Sequence, residues 1–591
     1  DGRRCFARAE AVVRADSVTD VPEALARLQG ARARGKWLAG FFAYELGYAL
    51  EPRLAPLMPP PLSPSGSPLL LFGVYGGPSA DAPRPGGRAY AGPPRPEWDE
   101  RAYGERFRAV KQAIAAGDIY QANLSFRARF PFLGDPLFLY ESLRASARAP
   151  HCAFLDDGST QILSLSPELF FEIADGAIRA RPMKGTAPRI GGDDAAERAR
   201  LAASAKDRAE NLMIVDLIRN DLGRIAETGS VAVERLFEVE TYPSLHTMVS
   251  TVGAKLRPEA DISAIVKALF PCGSVTGAPK IRAMEILRDL ESSPRGGYCG
   301  AIGFFAPSAL RIASAATAVG SLGREPPPTA RAARAGEAGL GNVEACFNVA
   351  IRTLTLADGI GTLGIGGGVV QDSIEASEYA ECLLKARFFE STRRPLQLIE
   401  TLKWEGDFIR LDRHLARMAG SASLLGFAFD ATAARRALMD AVKEGDGPLR
   451  VRLSLDESGS HRAEAAPLAP NPAFWTYALS ALATQSGDLL LRHKTSWREL
   501  YESEAARAGA DEVLFCNERG ELTEGARSNI FVRRGGKLLT PALSSGLLPG
   551  ILRAELTESG QCEEALLSPA DLEGEVFFGN SLRGLIPARR T

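Results

Sequence analysis

Lys184 stands in the run Arg181-Pro182-Met183-Lys184-Gly185-Thr186-Ala187-Pro188-Arg189. Prolines on both sides keep that backbone out of a helix, and Gly185 permits a close approach or an unusual dihedral beside the amine. A free lysine, with a pKa of about 10.4, is a poor nucleophile at neutral pH, but burial or neighbouring cations lower that value. Arg181 and Arg189 could supply such a field and attract an anionic substrate; the alternative is a solvated loop lysine between two arginines. Glu168, in Ser166-Pro167-Glu168-Leu169-Phe170, sits beside a proline among apolar neighbours. Such a carboxyl can have a raised pKa, which suits a general acid; a loop glutamate in water is the competing reading.

Further acids lie on two helical patterns. Lys206–Asp221 contains Glu210, and Ile374–Phe389 contains Glu378, Glu381 and Lys385. The latter three are spaced i, i+3, i+7 and project from one face. Should that face meet Glu210, the carboxylates converge where Mg²⁺ or another hard cation would relieve their repulsion; otherwise they form a charged stripe facing water. Between the two helices lie Gly273-Ser274-Val275-Thr276-Gly277 and the glycine run Gly366-Gly367-Gly368. Backbone amides of such a run can bind a carboxylate. No GxGxxG opens a helix, so a dinucleotide fingerprint is absent.

The elements that position these residues follow from periodicity. Trp98–Ala116 carries Tyr103, Phe107, Val110 and Ile114 at helical spacing, stops at Gly117, and leads into a strand ending near Phe130. Residues 51–96 are Pro/Gly-rich and read as loops around a strand at Leu69–Tyr75. At 591 residues the chain should form two to four domains. A net charge of −2 gives no case for binding nucleic acid or an anionic membrane. The apolar runs are too short to span a bilayer, and no signal peptide opens the sequence. Eight cysteines without a CxxC pair suggest free thiols in a reducing cytoplasm, and the five histidines show no zinc spacing.

Nine segments occur in one order: GDIYQAN, SLSPELF, PMKGTAPR, KDRAENLMIVDLIRNDLGR, GSVTGAPK, YCGAIGF, IRTL, GGGVV and EASEYAECLLK. Together they resemble the chorismate-utilising enzymes, most closely the aminodeoxychorismate synthases. The resemblance implies an α/β (α+β) fold, a large sandwich of two β-sheets with outer helices over residues 1–390. It implies that Lys184, which anthranilate synthases replace by alanine, attacks chorismate C2 with loss of the C4 hydroxyl. Ammonia then adds at C4 and expels the lysine. Glu168 matches the general acid. Glu210 and Glu381, with Glu378 close by, match Mg²⁺ ligands. Tyr298, Arg352, Lys385, Thr276 and Gly366–Gly368 match substrate-binding positions, and His246 an active-site histidine. Gln121 stands where isochorismate synthases place a lysine base. Met183 for isoleucine, Cys272 for glycine and an insertion at Arg324–Gly341, expected to be a mobile loop, depart from the pattern. No glutaminase elbow is present, so ammonia should come from a separate glutaminase subunit or from solution.

The pattern resets at the linker 391–395. Leu396–Trp404 is strand-like, a helix ends at Gly426, and Arg450–Leu455 alternates as a strand. HLAR around Arg417, Lys494, and TEGARSNIF, which holds Glu524, Ser528 and Asn529, resemble the fold-type IV pyridoxal-phosphate enzymes over residues 396–591, with subdomains of about 396–485 and 486–591. In that likeness Lys494 carries the cofactor as a Schiff base and later shuttles a proton, while Glu524 faces the pyridine nitrogen. Arg417 pairs with the phosphate, and the amides of Ile551 and Leu552 complete its cradle. The tail Asn580–Pro587 looks like the aminodeoxychorismate lyases. The expectation is therefore a cytoplasmic, bifunctional enzyme making 4-aminobenzoate, dimeric through its second half. An anthranilate-type synthase fused to an aminotransferase-like domain, or a non-catalytic partner of a glutaminase, are the rivals.

Overall fold

The computed structural model describes residues 4–60, 67–189, 194–242, 245–307, 343–443 and 447–591; the insertion at Arg324–Gly341 lies outside them. Strands in the first half build two sheets. One has ten strands and includes Trp37–Phe42, Leu70–Tyr75, Leu169–Ala174, Met183–Pro188, Leu245–Lys255 and Ala301–Phe305. The other has eight and is centred on the long pair Gln121–Gly134 and Ile360–Val369. Phe41 and Ile302 from the first sheet meet Ile162 from the second in a small shared core. The outer faces are covered by helices, as expected. Val21–Ala33, Ala205–Gly223 and Ile262–Leu269 bury their apolar sides on the first sheet. Glu100–Ala115, Pro136–Ala147 and Glu375–Glu390 do so on the second.

Local chemistry sets these elements. Asp99 caps Glu100–Ala115 by accepting from the Ala102 N–H at 2.8 Å, an interaction of about 1 kcal/mol. Ser204 starts Ala205–Gly223 by accepting from the Asp207 N–H, and so fixes where Glu210 emerges one turn later. The glycine run is not a loop. It lies inside the central pair, with Gly366, Gly367 and Gly368 opposite Ser125, Leu124 and Asn123.

The second half begins with an antiparallel sheet of Gln397–Trp404, Leu449–Asp456 and His461–Pro467 under the helices Leu411–Leu425 and Ala431–Ala441. Gly426 ends the former helix with φ 71°. An eight-stranded mixed sheet follows. Its strand Trp475–Leu479 pairs in parallel with both Glu512–Cys516 and Gly584–Arg590. The strand 475–479, which precedes residue 485, thus finds its partners only far downstream. Among the described residues no helix is long and apolar enough to cross a membrane.

Candidate functional site

Lys184 is placed by an irregularity. The strand Met183–Pro188 pairs Met183 with Val249 but Thr186 with Thr247, so one extra residue bulges from the ladder. Gly185 sits in that bulge at φ 85°, and a side chain there would also meet Asp207. The bulge sends the Lys184 amine to the glycine run: a methyl group built on Gly368 would stand 3.0 Å from Nζ and 3.0 Å from Gln121 Nε2. The arginines flanking the motif do not supply its field. Arg181 is paired with Glu240 and Arg189 with Asp194, which neutralises both.

The Lys184 ammonium lies close enough to two of the helix acids, Glu210 and Glu381, to act on both. Glu210 is driven above the usual carboxylate range by burial, with Lys184 and Lys206 opposing and Asp207 and Glu378 reinforcing. Glu381 pairs with Lys385 at 3.0 Å and is held low chiefly by that ammonium, with help from Lys184 and Lys206. Lys385 also donates to the Gly366 carbonyl at 3.0 Å. Buried Glu378 accepts from the Ser373 hydroxyl at 2.7 Å. Among the described residues no three acidic, histidine or cysteine side chains are gathered closely enough to hold a metal ion; lysines 184, 206 and 385 lie among the acids instead.

Glu168 is buried, and its Oε1 has no hydrogen-bond partner among the described residues. Burial raises its carboxyl to about 7, against the opposing pull of Ser274, Lys184 and the Met183 N–H. It is thus half-protonated near neutrality. Arg352 is held at φ 49° and largely buried, and burial lowers its pKa. None of the described residues forms an ion pair or hydrogen bond with its guanidinium, which leaves it able to take an anion. Tyr298 is buried with its ring packed over Gly364. Two expected residues have partners of their own. Thr276 spends its hydroxyl on the Cys272 carbonyl at 2.9 Å. His246 engages Thr241 Oγ1 at 2.9 Å through Nδ1, while its buried Nε2 lies 3.4 Å from Asp194.

The second cluster forms around Lys494, whose amine is pushed down to about 8 by burial, with Glu400 opposing and Arg417 assisting. Arg417 makes a two-pronged pair with Glu400 at 2.7 and 2.8 Å. Its third nitrogen donates to the Pro549 carbonyl at 3.1 Å, directly before the helix Ile551–Glu558. The expected phosphate ligand is therefore engaged by a carboxylate that holds it at the start of that helix. Ile551 and Leu552 are the first residues of the helix, whose amides lack an internal acceptor, and no side chain caps them. Glu524 is raised to about 7 by burial; it accepts from the Tyr501 hydroxyl at 2.8 Å and the Leu548 N–H at 3.2 Å. Asn529 donates to the Leu548 carbonyl at 3.1 Å, and Ser528 donates to Glu512. The segment 548–550 thus ties the Glu524 end of the cluster to the Arg417 end.

Residues 77–315 and 328–391, just over half of the chain, match the chorismate binding enzyme family. The chain belongs to that family. Its remaining part, residues 397–591, matches the amino-transferase class IV family. Two relatives of this chorismate-binding chain are aminodeoxychorismate synthase component 1 of Klebsiella aerogenes, 40% identical over 311 residues, and that of Escherichia coli K12, 40% identical over 300 residues. The alignments cover 52% and 50% of this chain, and the chain spans only 60% and 57% of those relatives. Anthranilate synthase component I from Streptococcus pneumoniae shares the fold, with a TM-score of 0.53, 24% identity, and coverage of 66% of this chain and 93% of that one. A class IV aminotransferase domain implies pyridoxal phosphate, and the second cluster fits it. A buried amine of lowered pKa, a buried acid and an arginine beside free helix amides are the groups such a cofactor needs.

Three residues of these sites escaped the sequence reading. Glu400 gives one signal, an acid inside the apolar strand Leu398-Ile399-Glu400-Thr401-Leu402. His414, which touches Glu400, opens the HLAR motif but carries no assigned role there, and Tyr501, which touches Glu524, gives no signal.

Proposed function

We propose that the chain makes 4-aminobenzoate in two steps, amination of chorismate at C4 followed by loss of pyruvate. The observation that carries this reading is the Lys184 amine at Gly368, between acids and within the field of a carboxyl that titrates near 7. Lys184 Nζ attacks C2 of the ring, and the C4 hydroxyl leaves with the proton of Glu168 as the double bonds shift. Ammonia adds at C4 and expels Lys184, so the amine enters para to the ring carboxylate. Arg352 and Lys385 bind the two carboxylates of chorismate and orient the ring. Mg²⁺ belongs to the proposal only with chorismate bound: Glu210, Glu378 and Glu381 are not gathered into a metal site by themselves, and they would reach the ion with substrate oxygens and water supplying most of its shell.

In the second half Arg417 and the amides of Ile551 and Leu552 would hold the cofactor phosphate, and Glu524 would keep its pyridine nitrogen protonated. Pyridoxal phosphate, when bound, supplies the electron sink. Lys494 anchors it and then moves the C4 proton of the aminated ring; pyruvate leaves and aromatisation drives the step. A separate glutaminase supplies ammonia, the second half forms a homodimer, and the protein works in the cytoplasm. Two variants test the assignment. Lys184→Ala should stop product formation from chorismate yet still convert supplied 4-amino-4-deoxychorismate, and Lys494→Ala should accumulate that compound. Full synthase turnover in Lys184→Ala would overturn the covalent step.

A further inference from the structure

Lys494 lies on a segment that the second half does not hold alone. The segment opens at Asp488, whose carboxylate caps the short turn Leu489–Arg492 through the Leu490 N–H, and runs through Trp497. Arg88, from the first half, reaches both ends. Its Nε donates to Asp488 Oδ2 at 2.8 Å, and its Nη1 donates to the Trp497 carbonyl at 3.2 Å. Gly87 packs against Asp488 so closely that a side chain on it would touch the Asp488 Cα at 3.1 Å. Tyr90 meets the Trp497 ring edge-on at 6.2 Å and donates to Glu457 at 3.0 Å. Arg88 precedes the strand Ala89–Ala91, which pairs with Gln121–Gly134 of the central sheet, so the contact is anchored in a rigid element.

We infer that Arg88 is a positioning residue for Lys494: the first half clamps the two ends of the lysine-bearing segment, and the cofactor site is complete only while the halves are joined. This rests on the reading of Lys494 as the cofactor-binding lysine. The planar guanidinium suits the task, because its nitrogens engage a carboxylate and a carbonyl in one fixed fork that an ammonium cannot reproduce. Arg88 also lines one cavity with His493, Thr495, Trp497, Tyr501 and Glu524. Its charge there acts on Tyr501, the phenol that donates to Glu524. The clamp therefore touches the lysine segment and, through Tyr501, bears on Glu524.

The test uses the full chain stripped of cofactor and titrated with pyridoxal phosphate, in wild type, Arg88→Ala and Arg88→Lys. Removing a residue that orients a ligand-binding group costs about ten-fold or more in affinity. We expect that loss in Arg88→Ala, a displaced pH midpoint of the bound cofactor's visible absorbance, and a smaller loss in Arg88→Lys. Chorismate consumption with ammonium in the same preparations should stay within about two-fold of wild type. Wild-type affinity and midpoint in Arg88→Ala would overturn the inference. If that variant does not fold, Asp488→Asn takes its place, with the same two outcomes. Borohydride reduction of the wild type, followed by peptide mass analysis, checks the underlying reading separately. Cofactor fixed on a residue other than Lys494 would sink that reading, whatever the Arg88 variants do.

Discussion

Gly368 and Lys184 meet across the central strand, with the amine occupying the space that a side chain at 368 would need. The pairing separates activity from stability. A methyl at 368 would press only on the ends of Lys184 and Gln121, whereas one at Gly366 would press on the Leu124 carbonyl at 2.6 Å and the Ser125 Cα at 2.9 Å. Gly368→Ala should therefore lower the synthase kcat by about ten-fold or more, through misplacement of the amine, with little change in Tm. Gly366→Ala should lower Tm by several degrees, in line with about 1–3 kcal/mol of overpacking. Enzyme assays and thermal melts on the two variants check this.

The acid makes a pH prediction. Glu168 titrates near 7 in the free protein because burial disfavours its charge, and the proposed step needs it protonated. The synthase kcat/KM should be full below about 7 and fall as pH rises through that value. Glu168→Gln should lose the rate by at least about 100-fold and lose this limb of the profile. A flat profile between pH 6 and 8, about one unit on each side of that pKa, would contradict the role.

Cofactor capture has its own pH dependence, of opposite sign. Lys494 is lowered to about 8 by burial, and only the neutral amine reacts with an aldehyde. The rate at which the cofactor-free chain captures pyridoxal phosphate should rise with pH and level off above about 8; stopped-flow absorbance reads it.

Glu400 and Arg417 predict a folding effect. The Glu400 carboxyl is buried, yet Arg417 and His414 outweigh that burial and hold it at about 2, below its ordinary 4.5. Its contribution is thus fully present above about 4.5 and is lost as pH falls toward 2. Glu400→Ala leaves Arg417 and His414 without their buried partner and should destabilise the second half by about 3–5 kcal/mol. Denaturant unfolding at neutral pH measures it.

Spacing and residue type were enough to read the helices Ala205–Gly223 and Glu375–Glu390 and to put Glu378, Glu381 and Lys385 on one face, but left open whether that face meets Glu210. Their signals are local: a 3.6-residue period, a serine cap, charges one turn apart. Pairing across the chain was not legible. The Lys184 bulge depends on the register against Val249 and Thr247. Arg181 and Arg189 lose their expected role because Glu240 and Asp194 fold onto them. Trp475–Leu479 joins the last sheet through strands that follow it by more than thirty residues. Arg88, in a Pro/Gly-rich stretch, finds Asp488 only when the halves dock.

The most direct test of the account is the identity of what the pure chain makes from chorismate, ammonium, Mg²⁺ and pyridoxal phosphate. The account predicts 4-aminobenzoate, with Lys184→Ala making none. Anthranilate as the product, or 4-aminobenzoate still formed from chorismate by Lys184→Ala, would contradict it.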